Sequence, residues 1–368
     1  MTSHKHDRKE LLSLLEAAKP GLADKELVQQ TTSFIFSNEK LITFNDEISV
    51  VTDSPFGSDV EGAVPAKECM EMLARFNDKK VTVYSNESEL RIEGKNKKIG
   101  IRLQQEIQAP ITEVLEFENQ DVEWGALPNN FNEIIDFVRF SVSTNTNKPL
   151  FNCVHFDKDI VESCDNYRMT RYFLEMPHFE EGFLIHYQNV RALLNYPRLE
   201  YYCLDDNWAH FLDENGLRIS CRYRDDSFPD VSALMFEDGV PLTFPEGFRE
   251  ALSRSKVMVD TSHIDYEKVD VTLDGNQIIL ESKNDSGWFK ETLEHDHLPD
   301  IDITFTINPR FLDQVVKKMG RAYFREDVDR IAFHGDEFAH IIALFYVGNK
   351  KQKAEGKTSK KGKKKKKS

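Results

Sequence analysis

The sequence predicts an α+β fold built from three copies of one domain, and three observations carry that prediction. Apolar residues fall at helical spacing in six segments. Those segments recur at a period of about 120 residues, far longer than the period of a solenoid. Between them lie alternating, β-branched and aromatic runs cut by Asn, Asp and Gly, the pattern of antiparallel hairpins.

The helical segments come in two series. Leu11, Leu14, Leu15 and Ala18 mark the first segment, Phe131, Ile134, Ile135 and Val138 the third, and Phe248, Ala251 and Leu252 the fifth; they begin near residues 8, 128 and 245. Cys69, Met72, Leu73 and Phe76 mark the second, Val190, Leu193 and Leu194 the fourth, and Leu312, Val315, Val316 and Met319 the sixth; these begin near residues 65, 187 and 308. The second series opens at Val64-Pro65-Ala66, Ile185-His186-Tyr187 and Ile307-Asn308-Pro309. Pro in a first turn and Asn at a cap favour helix starts.

The intervening hairpins read SFIFSNEKLITFNDEISVVTD, VTVYSNESELRIEGKNKKIGIRLQ and KVDVTLDGNQIILES. Three strand ends, SVVTDSPFG, VESCDNYRM and LESKNDSGW, are taken as equivalent, each followed by one strand and then a helix. The first two repeats close at Ala109-Pro110-Ile111 and Phe228-Pro229-Asp230, before acidic connectors. The expected domains are 1–125, 126–243 and 244–348, followed by a disordered Lys-rich tail, 349–368.

Composition bounds the function. A chain of 368 residues exceeds one ordinary core, and 40% hydrophobic residues with 26 Phe can fill several. No run approaches the roughly 20 apolar residues of a membrane helix, and the first residues lack a signal-peptide centre. The five Cys (Cys69, Cys153, Cys164, Cys203, Cys221) are scattered and form no CxxC pair. That spacing argues against a disulfide framework or a zinc site and predicts a reducing, cytoplasmic location.

The net charge of −15 hides an asymmetry. Residues 350–368 hold eleven Lys and one Glu, a charge of +10, which leaves −25 on residues 1–349. Six spans drawn around the helical segments (5–19, 65–80, 128–142, 187–198, 245–256 and 308–321) carry +7 together, leaving −32 on the rest of the body. Basic residues are thus expected on the helices, as a surface that attracts phosphates, with an acidic wall elsewhere. A solvated helix face of mixed charge is the plainer alternative for any single helix.

With these motifs in hand, residues of about 8 to 348 resemble the β subunit of bacterial DNA polymerase III, the sliding clamp. EGAVPAKECMEMLARF in the first repeat and FVRFSVS, SCDNYRM and DDSFPDVSALM in the second carry the likeness. The family shows a Thr-Asp-Gly-His-Arg-Leu-like turn where this chain has Cys164 to Met169, and a Phe-Pro-Asp at Phe228 to Asp230. Each motif is short, and their order across three repeats makes the match. The lysine tail and the divergent motifs would suit a phage-encoded member.

The resemblance implies three clamp domains per chain, each with two helices packed on antiparallel sheets. Two chains form a head-to-tail homodimer ring around double-stranded DNA. It implies a replicative DNA polymerase and a clamp-loader ATPase as partners, with no cofactor, no metal, no catalytic residue and no membrane. Carried over by position, the partner-peptide cleft comprises Cys164, Asn166, Tyr167, Arg168, Met169, Pro229, Leu234, Ile341, Leu344 and Phe345. An ordinary last core strand would explain Ile341, Leu344 and Phe345 equally. Asn166 replaces the family's Gly, and the family's Met-Pro-Met-like end is missing. Expected DNA contacts are Arg8, Lys9, Lys67, Arg75, Arg191, Arg310, Lys317, Lys318 and Arg321, with Lys148 from the loop STNTNKPLF.

Other readings have less behind them. His295, His297 and Asp300 could hold a metal, but close neighbours on an acidic loop are commonly just solvated. Asp205 and Asp206 form a carboxylate pair with no sign of an apolar pocket. No Gly-rich phosphate loop or Gly-x-Ser-x-Gly elbow occurs. The main alternative is a clamp-fold scaffold that binds proteins and is not loaded on DNA. The tail is read either as a solubilising arm or as a tether for DNA phosphates.

Overall fold

The computed structural model describes residues 3–118, 120–145, 147–236, 238–296, 302–319, 321–325 and 327–348. The first repeat runs β1 (His4–Asp7), α1 (Arg8–Ala18), β2 (Ser33–Ser37), β3 (Lys40–Phe44), β4 (Ile48–Asp53), β5 (Gly62–Pro65), α2 (Ala66–Arg75), β6 (Lys80–Ser85), β7 (Glu89–Glu93) and β8 (Lys98–Arg102). A short connector helix follows, α3 (Thr112–Phe117). The second repeat runs β9 (Gly125–Ala126), α4 (Phe131–Val138), β10 (Cys153–Asp157), β11 (Ile160–Cys164), β12 (Arg168–Phe173), β13 (Phe183–His186), α5 (Tyr187–Leu193), β14 (Leu199–Asp205), β15 (Trp208–Asp213) and β16 (Arg218–Arg224). The third runs β17 (Val240–Thr243), α6 (Phe248–Ser255), β18 (Val269–Asp274), β19 (Gln277–Asn284), β20 (Gly287–Glu294), β21 (Ile303–Ile307), α7 (Pro309–Val316), β22 (Arg321–Phe324), β23 (Arg330–His334), β24 (Phe338–Ala343) and β25 (Tyr346–Gly348).

Pairing recurs with this order. The leading strand of each repeat joins the strand after its second helix: β1 to β6, β9 to β14 and β17 to β22. The strand after the first helix joins the one before the second: β2 to β5, β10 to β13 and β18 to β21. Every one of these pairs is antiparallel, and the two helices of each repeat pack side by side. The fold is α+β, as the hydrophobic periodicity requires.

The chain forms two compact units, residues 1–139, 152–159 and 176–227 in one and 140–151, 160–175 and 228–368 in the other. The first holds a β1-β6-β7-β8 sheet and a larger one in the order β10-β13-β16-β4-β3-β2-β5, extended from β16 by β15, β14 and β9. The second holds β17-β22-β23-β24-β12-β11 and β20-β19-β18-β21-β25.

The abundant Phe does much of the packing. In the first unit Phe156 stacks on Phe183 at 4.9 Å, and Phe131 lies 5.7 Å from Phe211, all fully buried. Each such ring contributes about 1.5–3 kcal/mol by leaving water. All five cysteines are buried and free.

Several expectations shift in detail. The first helix begins at Arg8, as expected, and the chain before it is strand β1. Asp7 ends that strand and caps α1, its Oδ1 accepting from the Lys9 amide at 2.9 Å. Pro65 sits at the cap of α2, one place before the first turn, whereas Asn308 caps α7 through the Arg310 amide and Pro309 follows it.

The three strand ends are out of phase. SVVTDSPFG closes the fourth strand of its repeat, while VESCDNYRM and LESKNDSGW close the third and are followed by two strands before a helix. The true counterparts are the β3–β4, β11–β12 and β19–β20 turns. In each, one side-chain oxygen folds the turn: Asn45 accepts from the Ile48 amide at 2.8 Å, Asp165 from Arg168 at 2.9 Å and Asn284 from Gly287 at 3.1 Å. Side-chain acceptors two or three residues ahead of an amide stabilise such turns, so Asn and Asp hold these places. The connector α3 was not foreseen, because Val114 and Phe117 give too short an apolar pattern.

Candidate functional site

In the second unit the β11–β12 hairpin carries much of the expected cleft. Asp165 Oδ1 accepts from the Tyr167 amide at 2.7 Å and from Arg168, so the turn is tight and Cys164 faces Met169 across it. Asn166 is not among the positive-φ residues, so its replacement of Gly strains nothing. Its amide oxygen accepts from Lys148 Nζ, and the Lys148 ammonium lies 5.2 Å from the Phe151 ring.

The floor is apolar. Cys164, Met169, Val231, Ala332 and Ile341 form one buried cluster, with Phe151, Phe228, Met235, Phe236 and Tyr323 half-buried against it. Leu234, 40% exposed on the turn Ser232–Leu234, offers its side chain beside them, and Pro229 is half-buried. The segment is tied down by a buried ion pair, Arg171 to Glu162 at 2.7 Å, whose Nη1 also donates to Ser232 Oγ at 3.2 Å. Burial pushes the Cys164 thiol up to about 12, so it stays protonated and serves as packing.

An aromatic rim adjoins that floor. The Arg168 guanidinium lies 4.1 Å from the Phe311 ring centre and donates from Nε to Asp165 at 3.2 Å and from Nη1 to Gln314. Tyr167 donates its hydroxyl proton to Asp265 at 2.6 Å, with its ring 6.1 Å from Phe311 and 6.3 Å from Phe345. That acceptor pushes the Tyr167 hydroxyl up to about 12. Lys268 sits over Phe345 at 4.3 Å. Leu344 is only 7% exposed, and its amide donates to the Asp329 carbonyl at 2.9 Å, so it belongs to the core.

Sequence reasoning missed Val231, Phe228, Met235, Phe236 and Phe311. The first four lie in or just beyond DDSFPDVSALM, where i, i+3, i+4 spacing from Phe228 could have found Val231. Phe311 is reached only through tertiary packing.

The basic residues stand differently from expectation. The six helices of the repeats carry no net charge together: zero on α1, α2 and α7, −2 on α4, and +1 each on α5 and α6. The +7 came from flanking residues within the wider spans, so the cations gather at helix ends and not along helix faces. Arg321 opens strand β22 opposite Thr243, and Lys317 and Lys318 lie past the last residue of α7. Arg8 is half-buried and donates to the Leu73 carbonyl at 3.2 Å. Arg75 lies 3.5 Å from Glu71, and Arg310 2.9 Å from Glu267. Lys9, Lys67, Arg191, Lys317 and Arg321 are exposed, with no ion pair among the described residues.

Three His, Cys, Asp or Glu side chains come together nowhere among the described residues as a metal site. His295 instead shares a hydrogen bond of 2.8 Å with Thr243, while His297, Asp300 and the tail 349–368 lie outside the described residues. No described helix is long and apolar enough to cross a membrane.

Comparison with solved structures decides the fold. The chain aligns over 94% of its length with the whole of the DNA polymerase III β chain of Streptococcus pneumoniae TIGR4, at a TM-score of 0.79 and 17% identity. The fold is that of a DNA sliding clamp. The sliding clamp of Bartonella birtlesii bound to griselimycin aligns at a TM-score of 0.81 and 14% identity, again over 94% of this chain and 100% of that one. The β subunit of Thermotoga maritima gives a TM-score of 0.75 and 17% identity over the same shares. No protein-family model and no curated protein sequence matches the chain.

Proposed function

We propose that this protein is a DNA polymerase processivity factor, a clamp of three domains (1–125, 126–243 and 244–348) whose two copies close head to tail around duplex DNA. One observation beyond the fold carries the reading. Within the first unit β4 pairs with β16, and within the second β12 pairs with β24, so the fourth strand of a repeat meets the eighth strand of another. The remaining members of that series are β20 and β8, each at the end of a sheet among the described residues. Unpaired edges are templates for another chain, and β20 meeting β8 of a second copy would complete the series twice in a closed dimer.

Such a ring needs no chemistry of its own. It would be opened by a clamp-loader ATPase, hold DNA by topology, and present the apolar surface around exposed Leu234 and half-buried Phe228, Met235 and Phe236 to polymerase peptides. Lys9, Lys67, Arg191, Lys317 and Arg321, with Lys148, supply its diffuse attraction for phosphates. Electron micrographs of the free protein should show rings, and sedimentation should give a dimer. A monomer at micromolar concentration would favour the scaffold that is not loaded on DNA.

The peptide surface predicts a contrast between two leucines. Leu234→Ser should weaken a polymerase-derived peptide by more than about 1 kcal/mol with the melting temperature unchanged, as for an exposed anchor. Leu344→Ala should cost stability by about 2–5 kcal/mol through a core cavity. Titration calorimetry beside thermal melts separates the two. Equal peptide affinity for wild type and Leu234→Ser would remove Leu234 from the site.

A further inference from the structure

A cleft of about 430 Å³ opens in the first unit between α3 and the strands β15 and β16. Within its own unit it occupies the place that the buried apolar cluster occupies in the second. The β3–β4 and β11–β12 turns correspond, so Ser49 stands where Met169 stands. Ser49 lies opposite Ser220 as Met169 lies opposite Ile341. Ser220 lies opposite His210 as Ile341 lies opposite Ala332. The connector α3 follows Pro110 as the Ser232–Leu234 turn follows Pro229. Three apolar residues, Met169, Ile341 and Ala332, are thus replaced by Ser49, Ser220 and His210. The frame is kept and its chemistry is inverted.

The polar groups of this cleft do not satisfy one another. His210 and Arg218 line it, at 5% and 3% exposure, and both keep buried nitrogens without a partner: Nε2 of His210, and Nε and Nη1 of Arg218. The Ser220 hydroxyl lies 2.7 Å from His210 Nδ1 and can donate to it, which leaves Nε2 as the N–H. Arg218 Nη2 donates to the Val114 carbonyl and to Glu118, both at 3.0 Å. Arg222 lies over the Trp208 ring at 4.0 Å and donates from Nε to the Asp46 carbonyl at 3.2 Å, without an ion pair among the described residues. Four carboxylates line the same cleft, Glu113 and Glu116 from α3 and Asp205 and Asp206 at the β14–β15 turn, which against the two guanidiniums leaves a charge of −2. None of the four makes an ion pair among the described residues. Burial and Asp206 raise the Asp205 carboxyl above its ordinary range, and Arg218 offsets part of that rise. Arg222 and the carboxylates therefore share the cleft without pairing. Buried donors without acceptors are costly and rare, so the depth of the cleft calls for acceptors.

A ligand that completes such a site carries an anion rich in acceptors and a cation a few bonds away. A chain terminus ending in lysine or arginine has both. We infer that the cleft between α3 and β15–β16 binds the C-terminus of a partner protein that ends in basic residues. Its terminal carboxylate accepts from Arg222, Arg218 and His210, and its basic side chains meet Glu113, Glu116, Asp205 and Asp206. Hydrogen bonds from guanidinium to carboxylate are among the strong ones in proteins, and capture of a terminal carboxylate is a recurrent mode of peptide recognition. The volume is that of a site for a ligand larger than one amino acid. The correspondence with a peptide surface rests on the function proposed above for the second unit; the unpaired groups of the cleft do not. The two surfaces differ in what they select, an apolar anchor in the second unit and a charged terminus in the first.

The test is isothermal titration calorimetry of the full-length protein at low salt, where charge pairing is least screened. The probe is the acetylated tetrapeptide Gly-Gly-Lys-Lys with a free terminal carboxylate. Its C-terminal amide and acetylated tetraglycine should each bind roughly tenfold more weakly, since each has lost one end of the bridge. Arg222→Gln should weaken the acid peptide roughly tenfold and leave the amide unchanged. Glu113→Gln with Asp206→Asn, both exposed, should weaken the acid peptide roughly fivefold. Circular dichroism melts check that both variants keep the fold. Leu234→Ser should leave the affinity for this peptide unchanged, so that failure here and failure of the polymerase-peptide surface are read separately. Equal affinity for acid and amide, free lysine binding as tightly as the tetrapeptide, or a loss confined to Leu234→Ser would overturn the inference.

Discussion

Loaded on a nicked circular duplex, the protein should stay bound in salt that abolishes its attraction for linear DNA, and one cut in the circle should release it. The reasoning starts from charge. The six helices carry no net charge, and the cations at their ends are scattered, so contact with phosphates is diffuse. Counterion release drives such binding, and its affinity falls steeply with salt. No groove-reading helix with side chains matched to base edges is present among the described residues to replace it. A closed ring, however, leaves a circle only by opening an interface, which salt screening of phosphate contacts does not provide. The experiment loads the protein with its cognate loader, raises the salt, linearises half the sample and measures retention by gel filtration. Equal retention on circular and linear DNA would exclude topological linkage. Failure to load with the loader would favour the scaffold reading.

Acid should destabilise the fold well before the carboxylates titrate, because two histidines are buried in neutral form. Burial holds His210 down at about 3 and His340 well below its ordinary value. His340 is fully buried, with Nδ1 2.8 Å from the Thr170 hydroxyl and its other nitrogen unpartnered. In the unfolded chain both take up a proton below about 6.5. In the folded chain neither does so until far lower pH. The stability they contribute is therefore intact above about 6.5 and is lost as pH falls from there toward about 3, by roughly 1.4 kcal/mol per pH unit for each histidine. Between pH 7 and pH 5 the melting temperature should fall markedly. His210→Gln and His340→Gln, which cannot titrate, should each flatten that dependence whatever they do to stability at pH 7. A pH slope unchanged in both variants would show that other groups govern acid unfolding.

The partner-peptide surface shows how far residues alone could lead. Asp165 to Met169 were legible because a side-chain acceptor and a tight turn are local chemistry, and Asp165 bonds the amides two and three residues on. Phe311, Phe140 and Lys268 were not legible. They meet Arg168 and Phe345 only because α7 and neighbouring segments fold against that hairpin. Leu344 was read as an anchor since apolar residues in a last strand look alike from sequence. Its backbone bond to Asp329 and its burial place it inside.

By itself the sequence determined the α+β class, the six helices and their order, since periods of 3.6 and 2 residues follow from which faces must leave water. It also determined the Asx turns, whose hydrogen bonds close within four residues. Tertiary structure alone decided which strands meet across repeats, because β4 with β16 and β12 with β24 are brought together by long-range packing that no local pattern encodes. It decided where charge sits as well. A residue's sign is read from its letter, but whether it lies along a helix face, at a helix end or in an ion pair depends on where the helix stops and what packs beside it. That is why a basic helix surface expected from wide spans resolved into neutral helices with cations at their ends.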